Sequence, residues 1–247
     1  MVIIVAQTIQ NRVRSWLIGT LVAGTVIAAV TAVCTLAARH ARRESRHARW
    51  FNDLHQIGLA LLSFDQARGF LPPAEVVDES GRRLHSWRVE LLTFLDSGVL
   101  PGDQNLPWTD AANYYRASRS VSVYSFSSDP KSAARWDTNV VAVTGPGTPL
   151  GSDKRFALAD IDQDTILAIE VKESGLHWME PGDVDIRALP DGLTEGLDGD
   201  GVHVLFADAS VWFLSKEVPL DDLKRFFTVE GAKQHDRDQV LAPYRLR

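Results

Sequence analysis

The sequence predicts an α+β fold in which a long N-terminal helix precedes a domain of strands and short helices. Residues 17–38 are apolar and uncharged, and residues 50–64 repeat apolar side chains at the spacing of one helix face. Beyond this helix, the predicted strands are separated by short helices and loops rather than by long crossover helices. Without the apolar segment, about 200 residues remain, which is enough for one domain core.

Residues 17–38 predict a single transmembrane helix. This segment begins at Leu17, ends at Ala38 and contains 22 residues without a charge, a proline or an asparagine. An α-helix needs about 20 residues to cross the hydrocarbon core, so this segment is expected to bind membrane lipid. A cleaved signal peptide, with its apolar core of about 7–15 residues, and a buried soluble helix are the alternatives. Residues 1–16 form a short N-terminal segment.

Residues 39–68 are predicted to continue the helix, first as a basic collar and then as an amphipathic half. The collar suits the phosphate headgroups of lipids, and its arginines are Arg39, Arg42, Arg43, Arg46 and Arg49. No nucleic-acid partner is predicted, because the collar adjoins the apolar segment and contains no interleaved aromatic platform. The amphipathic half carries one apolar stripe, formed by Trp50, Leu54, Ile57, Leu61 and Phe64. Gly69 suits a left-handed C-cap that ends the helix.

Residues 69–230 are predicted to form the α+β domain, and residues 231–247 a flexible tail. The predicted strands cover residues 74–77, 82–84, 139–143 and 165–171. A hairpin of two alternating apolar strands is predicted over residues 202–215, with a two-residue turn at Asp208 and Ala209. The predicted short helices cover residues 87–95, capped by Ser86, and residues 109–118 and 219–227.

No catalytic residue, cofactor site or cofactor is predicted, and the chain is not expected to be an enzyme. The sequence contains no nucleophile-elbow, Walker A, HExxH or paired CxxC motif. Its single cysteine, Cys34, lies inside the apolar segment and excludes a disulfide framework. The histidines are scattered, and His177 and His203 are expected to be structural.

Two acidic groups are candidate calcium sites, but no metal-binding residue is predicted. Asp160, Asp162 and Asp164 resemble the opening of a calcium loop, but Thr165 and Val171 stand where an EF-hand needs glycine and glutamate. The acidic loop at residues 191–200 could hold calcium through carboxylates and carbonyls, although a solvated loop is the favoured interpretation. Its acidic residues are Asp191, Glu195, Asp198 and Asp200.

From residue 37 to 227, the order of segments resembles a large planctomycete family known as domain of unknown function 1559. The segments that carry the resemblance are NDLHQIGLALLSF (52–64), LPPA (71–74), LHSWRVELLTFLD (84–96), SSDP (127–130), TNVVAVTGPGT (138–148), TIL (165–167) and VLFADASVWFL (204–214). Members are prepilin-like and end in an H-x9-D-G signature. The resemblance implies a type IV pilin-like fold, in which the long N-terminal helix packs on an antiparallel β-sheet.

The chain departs from the family pattern at several positions. The prepilin processing site would place glycine at Arg14 and glutamate at Gly19. Of the H-x9-D-G signature only Asp208 remains, because Asp198 and Ala209 replace its histidine and glycine. If the hairpin keeps the family geometry, Ala209 has a positive φ angle, and Ala209→Gly should raise the melting temperature.

Two further departures predict a contact. The family typically has cysteines where this chain has Trp50 and Phe126. The resemblance implies that a disulfide there ties an irregular segment to the helix, so we expect the two aromatic rings to touch instead. The alternative places Trp50 in the lipid interface.

The function that these observations favour is a membrane-anchored, pseudopilin-like structural or interaction protein with other membrane or envelope proteins as partners. The alternative is an extracytoplasmic module that binds a solute or a glycan. The five arginines after the apolar segment favour a cytoplasmic domain by the charge rule. The pilin-like architecture implied by the resemblance places the domain in the periplasm, anchored by a single pass in the inner membrane, and this orientation is preferred.

Overall fold

The computed structural model describes residues 2–126, 136–151, 154–197 and 199–246. It divides into two compact units, residues 1–49 and 50–247. Helix α1, Val2–Arg68, begins in the first unit and ends in the second. By length and composition, this helix could cross a membrane, and none of its apolar window is buried. Its exposed apolar side chains include those of Leu21, Val26, Ile27, Val30, Val33 and Leu36.

The last turns of α1 form part of the core of the second unit, as the apolar stripe predicts. All five stripe residues are buried, namely Trp50, Leu54, Ile57, Leu61 and Phe64. The helix ends where Gly69 takes a φ angle of 80° and donates its N–H to the carbonyl of Asp65 at 2.7 Å. Only glycine adopts this left-handed conformation at little cost, so the predicted C-cap is confirmed.

The centre of the second unit is a four-stranded antiparallel sheet with the order β3-β5-β7-β8. Its strands are β3 (Val140–Val141), β5 (Ile166–Glu170), β7 (Gly201–Phe206) and β8 (Val211–Ser215). Two smaller pairs flank it. The first is an antiparallel hairpin of β1 (Glu75–Val77) and β2 (Arg83–Ser86). The second is a parallel pair of β4 (Val143–Thr144) and β6 (Val184–Asp185).

The central sheet is buried on both faces, which corrects the expected alternation in the hairpin. Every residue of β7 is buried. Leu205 packs in the same cluster as the stripe of α1, whereas Val204 and Phe206 belong to a second cluster that includes Phe226 and Leu241. The unit is therefore an α+β fold with a pilin-like layout, a long helix against an antiparallel sheet, plus a second helical layer.

The second layer comes from the C-terminal segment, and the predicted flexible tail is corrected. This segment contains α4 (Leu220–Lys224), α5 (Val229–Gln234) and α6 (Arg237–Val240), followed by a 3-10 turn, Ala242–Tyr244. Leu241 is fully buried, and Arg245 forms a β-bridge with Leu214. Residues 231–246 thus fold back onto the outer face of the sheet because that face is apolar and needs cover.

Several predicted elements are shorter than expected or divided. The strand predicted at 139–143 is interrupted at Ala142, whose N–H donates to the carboxylate of Asp183. The helix predicted at 87–95 consists of α2, Trp87–Glu90, and a 3-10 turn, Leu91–Phe94. Ser86 precedes α2 without capping it, since its hydroxyl donates to the carbonyl of Trp178 at 2.8 Å. The helix predicted at 109–118 consists of a 3-10 turn, Ala111–Asn113, and α3, Tyr114–Ala117.

Candidate functional site

The predicted contact between Trp50 and Phe126 is confirmed. Their ring centroids lie 5.4 Å apart with the planes tilted by 44°, a favourable aromatic geometry. Trp50 is only 4% exposed within the second unit, so its alternative placement in the lipid interface is wrong. The SSDP motif at 127–130 lies outside the described residues.

Beside this contact lies a buried acid–base pair, Glu170 and His203. The His203 Nδ1 atom contacts the Glu170 carboxylate, and both side chains are almost fully buried. The same carboxylate accepts the backbone N–H groups of Leu197 at 2.7 Å and His203 at 3.1 Å. The imidazole also stacks on Phe213 at 4.4 Å. Because these partners occupy the carboxylate and cover the ring, the pair links β5, β7 and the acidic loop and fits the structural role expected for His203.

The hairpin turn keeps Asp208 and places Ala209 at a φ angle of 64°, which confirms the expected positive value. Three residues, 207–209, connect Phe206 to Ser210, whose carbonyl accepts the Phe206 N–H at 2.9 Å. The loop is therefore one residue longer than the two-residue turn expected from sequence. The Ala209 carbonyl lies 2.9 Å from the Nδ1 atom of His55, so an α1 side chain holds the turn.

The residue that clamps this turn, Arg237, was not predicted from the sequence. Its guanidinium pairs with the carboxylates of Asp208 and Asp164 and lies over the rings of Phe206 and Trp212. Burial alone would raise the pKa of Asp208, but hydrogen bonds from Arg237 and Ser210 outweigh it and hold that pKa below its usual value. Burial dominates at Asp164 and raises its pKa. No sequence signal marked Arg237, because it lies in a segment that resembles a tail.

A second arginine, Arg88, is fully buried with Asp183. Their side chains are 0% exposed and lie 2.8 Å apart. Arg88 also donates to backbone carbonyls, which belong to Trp178, Val140, Glu180 and Gly182. Burial raises the pKa of Asp183, against the opposing charge of Arg88. The pair connects α2 to the loop before β6, and neither charged side chain is accessible to solvent.

The acidic residues of the two candidate calcium sites take part in local contacts. Asp164 pairs with Arg237, and the Asp162 carboxylate accepts the Asp164 N–H at 2.9 Å. Asp198 lies outside the described residues. Among the residues that are described, no group of three or more His, Cys, Asp or Glu side chains is placed to hold a metal ion.

An aromatic cleft of about 350 Å³ lies beside α3. It is lined by Trp108, Thr109, Tyr114, Ala117, Ser118, Trp136 and His177. Small-molecule sites typically occupy about 300–1,000 Å³ and carry aromatic walls with a few polar groups. The cleft was not predicted from the sequence, although the run PWTDAANYY at 107–115 contains three aromatic residues.

One wall of this cleft is fixed by a stack of rings that runs into the core. Trp108 lies parallel to His177 at 4.7 Å, and His177 lies 5.8 Å from Trp178. Trp178 in turn stacks on Tyr124 at 6.3 Å. Tyr124 is fully buried, and its hydroxyl donates to the Arg88 carbonyl at 2.9 Å. The surface ring of Trp108 is therefore supported by three further rings.

His177 lines the cleft, but both of its ring nitrogens already form hydrogen bonds within the protein. Its Nδ1 atom accepts the Met179 N–H at 3.1 Å, so Nε2 carries the proton and donates to the Ala117 carbonyl at 2.9 Å. Burial lowers the pKa of His177, more strongly than its hydrogen bond to Ala117 raises it. The imidazole is thus neutral near pH 7 and occupied at both nitrogens, in agreement with the structural role expected for it.

The loop before α3 is also held in place. Asn113 is buried, and its amide donates to the carbonyls of Asp103 and Pro107 at 3.1 Å each. Asp110 caps the 3-10 turn by accepting the Ala112 N–H at 2.9 Å. These bonds fix Trp108 and Tyr114 at the two ends of the same short segment.

Comparison with known proteins gives one family. Residues 39–197, more than half of the chain, match the model of a family described as "Protein of unknown function (DUF1559)". No curated protein and no solved structure matches the chain.

Proposed function

The chain belongs to the DUF1559 family, and we propose that it is a membrane-anchored, pseudopilin-like protein that acts through contacts with other membrane or envelope proteins. On this proposal it is not an enzyme. The match runs from the collar to the acidic loop and covers all the segments that carry the resemblance except the last, at 204–214. The family description gives no function, so the proposal rests on the fold of the chain.

The observation that carries this proposal is the difference between the two ends of α1. The helix is unbroken from Val2 to Arg68. Its apolar N-terminal part is exposed, as expected for a segment covered by lipid, and its last turns are buried against the sheet. A helix that serves as both anchor and core element is the defining feature of a pilin-like protein, and it supports an anchored domain.

The proposed orientation places the second unit outside the cytoplasm, anchored in the inner membrane. Protease added to intact spheroplasts should then digest the domain while a cytoplasmic marker protein survives. Full protection of the domain in intact spheroplasts, with digestion only after lysis, would instead support the orientation favoured by the arginine collar.

A strip of exposed apolar side chains on α1 is the surface proposed for protein contacts. Phe51 and Leu59 are 44% and 47% exposed, and the Phe51 ring stacks on His55 at 6.4 Å. A photo-reactive amino acid at position 51 or 59 should give a discrete cross-linked product with another membrane or envelope protein. The control is the same amino acid at the exposed Glu79 in the β1–β2 turn. Equal labelling at all three positions would contradict a specific surface.

A second candidate function is a module that binds a solute or a glycan, and the aromatic cleft favours it. An anchored interaction protein needs no concave aromatic site with a fixed wall. Detergent-purified protein that carries a bound small molecule, identified by native mass spectrometry, would support this second function.

A further inference from the structure

We propose that the aromatic cleft beside α3 binds a saccharide by stacking one of its neutral sugar rings on the exposed aromatic faces. The proposal deepens the second function above and rests on it. It concerns the residues that line the cleft, above all Trp108 and Tyr114.

The aromatic faces of the cleft match the shape of a sugar ring. The face of an aromatic ring is electron-rich and attracts weakly positive hydrogens. A pyranose ring presents such C–H hydrogens on its flat faces and hydroxyl groups around its edge. Trp108 offers an indole held by His177, and Tyr114, 75% exposed, offers a phenol at the mouth of the cleft. These rings suit the flat face of a sugar.

The charge of the cleft lining favours a neutral ligand. Among the residues that the structure describes, no charged side chain lines the cleft, and His177 is neutral because both its nitrogens are occupied. A phosphate would need a cation or a set of free N–H donors, and a cationic ligand is usually balanced by a nearby carboxylate. A neutral ligand with an apolar face satisfies these conditions.

The polar rim of the cleft matches the hydroxyl edge of a sugar. Thr109 and Tyr114 bring hydroxyl groups to the cleft. The hydroxyl of Ser118 donates to the Tyr115 carbonyl at 2.8 Å, which leaves its oxygen as an acceptor. At about 350 Å³, the cleft is at the small end of ligand sites and suits a mono- or disaccharide unit.

The cleft is held in place before any ligand binds. A site that is rigid before binding loses less conformational entropy when the ligand arrives. The stack from Trp108 through His177 and Trp178 to Tyr124 fixes the wall, and the buried Asn113 fixes the loop that leads to α3.

The test is direct binding by the full-length protein in a detergent without a sugar headgroup. The probes are neutral oligosaccharides built from glucose, galactose, mannose or N-acetylglucosamine, titrated one at a time while tryptophan fluorescence is recorded. We expect at least one of them to bind and to change this fluorescence. Tyr114→Ala should weaken that binding roughly three- to tenfold, the loss expected for one stacked ring.

The chain supplies a matched control in the next residue. Tyr115 is 68% exposed and lies on the same short helix, but it is outside the cleft lining, with the Arg119 guanidinium over its ring. Tyr115→Ala should leave binding unchanged within about twofold. Thermal unfolding checks that both variants fold, and Tyr114→Leu, which keeps apolar area but removes the ring face, replaces the alanine variant if that one unfolds.

Three outcomes would overturn the proposal: no oligosaccharide binds, both tyrosine variants lose binding equally, or tetramethylammonium displaces the bound sugar and thus identifies a cation site. These outcomes are independent of the proposed protein contacts, because cross-linking at positions 51 and 59 does not involve the cleft. Cross-linking that persists when sugar binding fails would overturn only the inference drawn from the cleft. Sugar binding without specific cross-linking would remove only the interaction surface.

Discussion

The indole of Trp50 and the phenyl ring of Phe126 meet at 5.4 Å between centroids, where α1 enters the second unit. Trp50 also meets the edge of the His203 ring at 5.7 Å. The contact therefore connects the helix, the segment before residue 127 and strand β7. The resemblance implies a disulfide at these two positions in other family members, and here buried aromatic surface takes its place.

This pair should show energetic coupling. We expect Trp50→Leu and Phe126→Leu to be less destabilising together than the sum of the single changes, with a coupling free energy of about 0.5–1.5 kcal/mol. The measurement is denaturant unfolding of the four proteins of a double-mutant cycle. The control cycle combines Trp50→Leu with Phe226→Leu, which lies in the cluster on the other face of the sheet and should be additive. Equal coupling in both cycles would argue against a specific ring contact.

Gly58 and Ala209 form a second close approach between α1 and the sheet. A Cβ atom placed on Gly58 would lie 2.9 Å from the Ala209 Cβ and 2.9 Å from Leu205 Cδ1. Gly58→Ala should therefore lower the melting temperature, by overpacking worth about 1–3 kcal/mol, although alanine is the better helix former. Gly24→Ala is the control, since nothing lies within 4 Å of that position.

The same approach refines the expectation for Ala209→Gly. Glycine relieves a positive φ angle, worth about 1–2 kcal/mol, but removes a buried methyl group worth about 0.8 kcal/mol. We expect a small rise in melting temperature in the natural background and a larger rise in the Gly58→Ala background, where glycine also removes the clash. The measurement is thermal unfolding. An equal change in melting temperature in both backgrounds would show that residues 58 and 209 are not in steric contact.

The parts of the fold that were predictable are those with a local signal. The stripe from Trp50 to Phe64 repeats at helical spacing, and Gly69 supplies the conformation that ends α1. The positive φ angle of Ala209 was implied by the resemblance, because the family has glycine at that position of the turn. The stripe and the C-cap depend only on neighbours in the chain, so the sequence shows them directly.

The parts that were missed depend on distant partners. Strand β7 carries apolar side chains on both faces, a sign of burial on both sides that was interpreted as simple alternation. Its outer cover includes Leu241, in a segment whose apolar residues are too sparse to predict helices. The aromatic cleft likewise brings Trp108 and His177 together from positions far apart in the chain.

The buried pair of Arg88 and Asp183 yields a prediction about stability. Arg88→Leu should lower the free energy of unfolding by about 3–5 kcal/mol, because it leaves the Asp183 carboxylate buried without its opposite charge and removes the hydrogen bonds from Arg88 to four backbone carbonyls. Lys224→Ala is the control, since Lys224 pairs with Asp221 at 3.2 Å on the surface and should matter by less than about 1 kcal/mol. Denaturant unfolding measures both. A loss below about 1 kcal/mol for Arg88→Leu would mean that the interior accepts an unpaired Asp183.

The Arg237 clamp yields a prediction about pH. Hydrogen bonds hold the pKa of Asp208 below its usual value, despite burial, so ionised Asp208 stabilises the folded state above about pH 4 and loses this effect as the pH falls through its folded pKa. Asp208→Asn should therefore lower the melting temperature by about 2–4 °C near pH 7, for a loss of about 1 kcal/mol, and the difference should shrink towards acidic pH.

The other carboxylate on the same guanidinium is the control. Burial raises the pKa of Asp164, so its ionisation costs stability, and the advantage of the natural protein over Asp164→Asn should instead grow as the pH falls. Melting curves for the three proteins between pH 3 and pH 7 test both trends. Parallel curves for the two variants would show that Arg237 does not distinguish the two carboxylates.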